Sequence, residues 1–277
     1  MKPFILISGA TGGLGSAIVA ECALRGYDLY LTDMREDVGG FADFIARTYS
    51  IQTRARVCDL TSQVEREKFL EAIRSEGARF RGLINVAGMD YEGAFLERSR
   101  GQILQLLRLN VESALDLTHG ILKLRDPDIR FMLVNVCSLA AVSPMPYKAV
   151  YAATKRFLLD FSYAIREEIK EFATVTALCP AGMPTTAENM TAIFAQGFWG
   201  RATTVDTRTV ARMTLDAAEK GKAMVVPGLI NQLIQLLSRL LPASVTTRLA
   251  GDRWRTARQG SDPWQEYLHS LSTTSAN

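Results

Sequence analysis

Ser8-Gly9-Ala10-Thr11-Gly12-Gly13-Leu14-Gly15 is the stretch from which the fold is read. Ahead of it, Phe4 to Ile7 is a short apolar run with the pattern of a buried strand. Behind it, an amphipathic helical pattern runs from Leu14 to about Arg25, and Gly26 reads as its stop. Strand, glycine loop and helix are the context that a dinucleotide-binding turn needs. Glycines let the backbone approach a pyrophosphate, and the helix N-terminus presents unpaired N–H groups and the positive end of its dipole. The other reading is a tight turn with no ligand. On the first reading Gly9, Thr11, Gly12, Gly13, Leu14 and Gly15 form the phosphate end of a cofactor site.

Outward from this loop, Asp28 to Thr32 is the next strand, and it ends at Asp33. An acidic residue about 20 positions past a glycine loop can hydrogen-bond the ribose hydroxyls of NAD, and it would repel the extra phosphate of NADP. Arg35 is close enough to blunt that preference, but the glycine loop holds no basic residue, so NAD is expected over NADP. A helix is expected from Phe41 to Tyr49 and a strand from Ile51 to Val57. The segment Cys58-Asp59-Leu60-Thr61 follows. Asp59 either faces the ligand edge of a doubly wound sheet or starts the next helix with Thr61 or Ser62. Gly82-Leu83-Ile84-Asn85-Val86-Ala87-Gly88 is a strand running into a small-residue turn.

Further on, a helical pattern from about Gly101 to Lys123 has Asn110 in its middle. Asn competes there for backbone hydrogen bonds, so it is a surface residue or holds a local kink and a water. Ile129 to Val136 is a strong strand signal that ends at Cys137-Ser138. The helix after it, about Ala149 to Phe172, carries Tyr151 and Lys155. Ala173 to Cys179 is a strand ending in Pro180-Ala181-Gly182. Gly182 to Thr204 shows no clean period and contains Met183, Met190, Phe194, Phe198 and Trp199. It reads as a lid or substrate loop, or as a surface connection. Val205 to Lys220 is helical, Ala223 to Val226 is a last strand, and Leu229 to Leu241 is an amphipathic helix. The tail, with Arg248, Arg253, Arg255 and Arg258, is more basic and is read as partly disordered. Alternating strands and helices without a linker predict an α/β doubly wound parallel sheet (a Rossmann fold) in one domain, with ligands at the carboxyl ends of its strands. Residues 1–226 form that domain with its loop 182–204, and 227–277 a C-terminal helical extension and tail.

Tyr151 and Lys155 lie four residues apart, one turn apart on one helix face. Free tyrosine, with a pKa of about 10, is a poor base at neutral pH, and a nearby ammonium favours its phenolate. Such a pair supplies the general acid/base that carbonyl reduction and alcohol oxidation require.

Composition narrows the alternatives. A net charge of +3 over 277 residues is too small to imply nucleic acid as a partner. Cys22, Cys58, Cys137 and Cys179 include no Cys-x-x-Cys pair, and the only histidines are His119 and His269, so buried reduced thiols are expected and a zinc-dependent dehydrogenase is not. The apolar run after Met1-Lys2-Pro3 is too short for a signal-peptide core, and no apolar run is long enough to span a bilayer, so cytoplasmic location is expected.

Taken together in this order and spacing, the Gly-rich turn, Asn85-Val86-Ala87-Gly88, Asn110, Ser138, the Tyr151/Lys155 pair and Pro180-Ala181-Gly182 resemble the short-chain dehydrogenase/reductase family, in its one-domain oxidoreductase branch, over residues 1 to 226. Gly12-Gly13 also matches the longer branch of epimerases and dehydratases. Val86 stands where that family commonly has Asn, and Ala181 separates a Pro and a Gly that are often adjacent. The resemblance implies that Tyr151 exchanges a proton with the substrate oxygen and that Lys155 lowers the tyrosine pKa and binds the nicotinamide ribose. It implies that Ser138 orients the reacting oxygen, and that Asn110 helps hold a water relaying protons from Lys155. Around the cofactor it implies Gly9, Thr11, Gly12, Gly13, Leu14, Gly15, Asp33, Arg35, Asp59, Leu60, Asn85, Ala87, Gly88, Tyr151, Lys155, Pro180, Gly182, Met183 and Thr185. It also implies a homodimer or homotetramer. The activity expected is NAD(H)-dependent interconversion of a secondary alcohol and a ketone on a small to medium apolar, lipid- or steroid-like substrate. The rivals are an NAD-retaining epimerase or dehydratase and a non-catalytic nucleotide-binding sensor. The 229–241 helix is read as interface or pocket cover ahead of membrane contact.

Overall fold

The computed structural model describes residues 2–183 and 202–259. Thr185, Met190, Phe194, Phe198 and Trp199 lie outside the described residues. The chain opens with strand β1 (Phe4–Ser8), helix α1 (Gly13–Leu24), β2 (Leu29–Asp33), α2 (Val38–Tyr49), β3 (Thr53–Val57), α3 (Gln63–Ser75) and β4 (Phe80–Asn85). It continues through α4 (Arg100–Leu107), a π-helical turn (Arg108–Glu112), α5 (Ser113–Leu122), β5 (Phe131–Val136), α6 (Ala149–Glu168) and β6 (Ala173–Leu178). The described part ends with α7 (Thr207–Glu219), β7 (Met224–Val225), α8 (Leu229–Leu240) and α9 (Ala243–Gln259).

The strands form one parallel sheet in the order β3-β2-β1-β4-β5-β6-β7. Winding runs outward from β1 to β3, returns to β4 and runs outward the other way, so the reversal falls between β1 and β4. That is where a doubly wound sheet opens a crevice beyond its strand ends. Alternate residues of each strand feed opposite faces. Ile5 and Ile7 pack with Ile18, Ile45 and Leu215 of α1, α2 and α7, and Phe4 and Leu6 pack with Phe69, Leu117 and Ile121 of α3 and α5. Burial on both faces explains why the strands read as continuous apolar runs.

The structure departs from the sequence expectations at element ends. The strands read from Ile51 and Ile129 begin at Thr53 and Phe131, where neighbours are in register to pair them. The helix read to Phe172 stops at Glu168, because Ile169 leaves helical geometry to turn the chain into β6. The single helix read across Gly101 to Lys123 is interrupted by the π turn at Asn110, the kink that an interior Asn invites. Within the basic tail, α9 runs through Gln259, and the rest of the tail lies outside the described residues.

One buried cation braces this arrangement. Arg66 is 2% exposed. It donates to Leu60 O (2.8 Å), Asp116 Oδ2 (2.7 Å) and Glu112 Oε2 (3.2 Å), tying the loop after β3 to the π turn that carries Asn110. Arg66→Ala is expected to lower the free energy of urea unfolding by about 2 kcal/mol, because a buried network loses its hub. Arg74→Ala, which breaks an exposed pair with Glu71, should cost less than about 0.5 kcal/mol. Equal small losses would show that Arg66 is not such a hub.

Candidate active site

At the β1/β4 reversal the glycine loop interlocks with the turn after β4. Gly9 has φ +65°, and a Cβ there would lie 2.9 Å from Ala87 Cα. A Cβ on Gly15 would lie 1.9 Å from the Gly9 carbonyl oxygen. Only glycine leaves room for either approach. Ser8 Oγ accepts from the N–H groups of Val86 (3.2 Å) and Ala87 (3.3 Å), fastening one turn to the other. Helix α1 starts after Gly12 with no side-chain cap and no acidic residue in its first turn. Thr11 Oγ1 is buried with no hydrogen-bond partner among the described residues. Uncapped N–H groups, an orphan hydroxyl and a cradle that a Cβ would fill suit a pyrophosphate, so the residues present fit a dinucleotide. Gly12 and Gly13 are exposed at that edge, while the Leu14 side chain is buried in the core.

The other expected cofactor residues divide into those that reach this edge and those that do not. Asp33, 9% exposed, stands at the end of β2. Its Oδ2 accepts from Thr11 N (3.0 Å) and its Oδ1 from Arg35 N (3.3 Å), so it also pins the glycine loop. The Arg35 guanidinium turns to Asp37 (3.0 Å). Asp59 Oδ1 accepts from Thr61 N and Oγ1 (both 2.8 Å), and Ser62 caps α3, so of the two readings of Asp59 the helix-start geometry is the one observed. Leu60 points into the core, which leaves only its backbone for a ligand. The Asn85 side chain is likewise committed inward, where it donates to Thr118 Oγ1 (3.1 Å) and Asn135 Oδ1 (2.9 Å). Its side chain fastens β4 to β5, which leaves the Asn85 backbone for a ligand. At the end of β6, Pro180 O accepts from Leu139 N (2.8 Å), and Met183 packs partly against the core. Gly182 is exposed beside them.

The chemistry-bearing groups converge at the ends of β4 and β5. Ser138 follows β5, and its Oγ accepts from Ala140 N (3.1 Å), leaving its proton to donate elsewhere. Tyr151 and Lys155 lie on α6, with Lys155 Nζ 5.8 Å from the Tyr151 ring centroid. Lys155 is 4% exposed. Its Nζ donates to Val136 O (2.8 Å), and a Cβ on Gly88 would lie 3.2 Å from both Lys155 Nζ and Asn110 Oδ1. Asn110, 1% exposed, pairs with both backbone groups of Met89. Its Oδ1 accepts from Met89 N (2.9 Å), and its Nδ2 donates to Met89 O (3.0 Å) and to Thr154 Oγ1 (3.1 Å). One Oδ1 lone pair remains.

Burial pushes the Tyr151 hydroxyl well above its ordinary pKa. The Asp90 carboxylate adds to the rise, and the Ser138 hydroxyl pulls it back. Burial also moves Lys155 down, against the opposing pull of Cys137 and Asp90. The expectation that Lys155 lowers the tyrosine pKa is therefore offset, because desolvation acts on both groups. Cys137 and Cys179 lie buried beside this pair, and their mutual hydrogen bond is the main reason that the Cys137 thiol is raised.

Asp90 and Lys148 were not singled out in the sequence. Lys148 is the N-cap of α6, three residues before Tyr151 and outside helical geometry, and its Nζ lies 5.7 Å from the Tyr151 ring centroid.

Two predictions follow from this geometry. Gly15→Ala should abolish detectable dinucleotide binding in a fluorescence titration, and binding retained at wild-type strength would contradict the interlock. Lys155 binds a proton less readily when folded than at its ordinary value of 10.5. Between those two values the unfolded chain holds more protons, so stability rises with pH across the window. Lys155→Met should therefore melt above wild type at neutral pH, and the gap should close as pH approaches 10.5. A gap that does not change with pH would contradict it.

The description "short chain dehydrogenase" belongs to the family model that matches residues 3–193. The very-long-chain 3-oxoacyl-CoA reductase of Laccaria bicolor is 27% identical over 170 residues, covering 60% of this chain and 50% of that protein. The 3-ketodihydrosphingosine reductase of Bacteroides thetaiotaomicron is 26% identical over 185 residues, covering 66% of this chain and 64% of that protein. A human relative, 29% identical over 169 residues (59% of this chain, 50% of that protein), is named inactive hydroxysteroid dehydrogenase-like protein 1. The chain thus spans about half to two-thirds of the length of these curated relatives. Among solved structures, a short-chain dehydrogenase from Sphingobium yanoikuyae in complex with NADPH superposes with a TM-score of 0.69 at 24% identity, covering 94% of this chain and 97% of that one. One from Burkholderia phymatum in complex with NAD gives 0.73 at 19%, covering 86% and 92%. At these identities the two structures share the fold. With the family match extending over residues 3–193, this chain belongs to the short-chain dehydrogenase/reductase family.

Proposed function

We propose that this member of an oxidoreductase family reduces an apolar ketone, lipid- or steroid-like in character, to a secondary alcohol with NADH, and runs the reverse oxidation at the same site. The observation that carries the reading is Tyr151 set beside a Ser138 hydroxyl whose oxygen is already engaged by Ala140 N–H, with burial favouring the protonated tyrosine. A nicotinamide dinucleotide, when bound, supplies the hydride. Tyr151 gives its proton to the substrate oxygen as negative charge develops there, and Ser138 donates a hydrogen bond to the same oxygen. The Lys155 ammonium stabilises the tyrosinate left behind. Asn110 keeps Met89 and Thr154 in place around Lys155, and its remaining Oδ1 lone pair suits a relay water.

In this proposal the pyrophosphate lies on Gly9, Thr11, Gly12, Gly13, the Leu14 backbone and Gly15. The adenosine ribose lies on Asp33 near Arg35, with the Asp59 and Leu60 backbone bordering the adenine. Ala87, Gly88, Tyr151 and Lys155 would hold the nicotinamide ribose, and Pro180, Gly182 and Met183 would hold the carboxamide. The relatives named as reductases of long acyl and sphingoid ketones support the apolar substrate class. Homodimeric or homotetrameric assembly and cytoplasmic location are part of the same reading. Phe157, exposed on α6 and stacked on Phe161, supports the assembly, and four unpaired cysteines support the compartment. No described helix is long and apolar enough to cross a membrane.

A second reading, nucleotide binding without turnover, draws support from the human relative named inactive. Against it, the serine, tyrosine and lysine are all present and assembled here.

Steady-state reduction of lipophilic ketones with NADH and with NADPH tests the reading. Wild type is expected to favour NADH by about tenfold in kcat/KM, or about 1.4 kcal/mol. Asp33→Ala should narrow that ratio while weakening both cofactors, because Thr11 N–H loses its acceptor. Wild-type preference for NADPH would overturn the cofactor assignment.

A further inference from the structure

The loop after β4 and the segment leading into α6 are stitched together over Tyr151. Gly93 N–H donates to Tyr147 O (2.8 Å), and Tyr147 sits at φ +65°, in the left-handed region that disfavours a side chain. Lys148 forms an ion pair with Asp90 and a longer one with Glu92 (3.5 Å). The lysine is half-buried, its ammonium directed at the tyrosine ring. Tyr151 therefore has an ammonium within 6 Å of its ring centroid from each of two lysines, 5.7 Å for Lys148 and 5.8 Å for Lys155. One is paired to a carboxylate and the other to a carbonyl.

We propose that the Asp90–Lys148 pair is a positioning device for the acid–base tyrosine, and that the balance between its two charges sets the pH at which Tyr151 releases its proton. The inference deepens the proposed function and rests on that assignment of Tyr151. The charged and titratable groups facing the tyrosine are Asp90 from the loop after β4, Lys148 at the N-cap of α6, Lys155 from α6 itself, and the thiols of Cys137 and Cys179 at the ends of β5 and β6. Glu92 acts through Lys148. Of these, only Asp90 and Lys148 form a carboxylate–ammonium pair at the outer side of the ring, where a substitution changes charge without opening the core. Asp90 disfavours the tyrosinate and Lys148 favours it. Locked together, the ammonium offsets part of the carboxylate's effect, which keeps Tyr151 protonated for donation to a ketone without making it inert.

The two partners must then act with opposite signs. The experiment follows the ring resonance of Tyr151 in full-length protein carrying carbon-13-labelled tyrosine, assigned by its loss in Tyr151→Phe, through a pH titration. Asp90→Asn is expected to move the onset of ionisation down by about one pH unit. Lys148→Met should move it up or out of the accessible range. The double variant Asp90→Asn/Lys148→Met should fall between the two single variants. No movement in Asp90→Asn, or movement of both single variants in the same direction, would overturn the proposal. Because the titration needs no substrate, the outcomes separate. Shifts of opposite sign without ketone turnover in any variant would refute the proposed function and keep the tuning. Turnover that depends on Tyr151 with an unmoved titration would do the reverse.

Discussion

Lys155 carries an ammonium group into a buried position, and the surrounding structure is built to tolerate it. A buried cation is costly unless polar groups replace its hydration. Here the replacement is the Val136 carbonyl at the end of β5, with the Tyr151 ring on one side and the open flank of Gly88 on the other. Each comes from a different part of the sheet edge. The lysine can stay in place only if β4, β5 and α6 hold their mutual register. Parallel pairing along Gly82–Asn85 and Met132–Asn135, reinforced by the buried Asn85–Asn135–Ser162 hydrogen bonds, supplies that register.

The same requirement accounts for the π turn. An unbroken α-helix across residues 100–122 would have no reason to turn Asn110 to the strand end. The π turn gives the asparagine a bidentate grip on the Met89 backbone, and Arg66 holds the turn from behind through Glu112. Gly88 then needs to lack a side chain because two functional atoms, from Asn110 and Lys155, occupy the space where one would go. Backbone geometry, core packing and site chemistry thus meet at residues 85–89, the segment that leaves β4 at the sheet's winding reversal.

Much of this was legible from residue order. The glycine loop, the apolar strands and the Tyr151/Lys155 spacing report local geometry, and local geometry is what a sequence encodes most directly. Gly26 did stop the first helix, and Asn110 did mark a break. What escaped was non-local. Asn85 ends a strand on the ligand edge, and nothing local announces that its side chain turns inward to Thr118 and Asn135, partners 33 and 50 residues away. Arg66 carries no local signal of its role, because its acceptors come from α5 and from two turns. The Asp90–Lys148 pair spans 58 residues, and no periodicity relates its members. The setting of Tyr151 escaped for a related reason. Proximity of the lysine was visible in the spacing, whereas the depth of burial that opposes it was not.

The most direct measurement compares Tyr151→Phe with wild type in two assays on the same preparation, NADH binding and reduction of a lipophilic ketone. If the tyrosine is the proton donor, NADH affinity should stay within about twofold, a change of less than half a kcal/mol. Turnover should fall by about a hundred- to ten-thousandfold, the contribution of a positioned general acid. Turnover that survives the loss of the hydroxyl would contradict the assignment of Tyr151 as the acid.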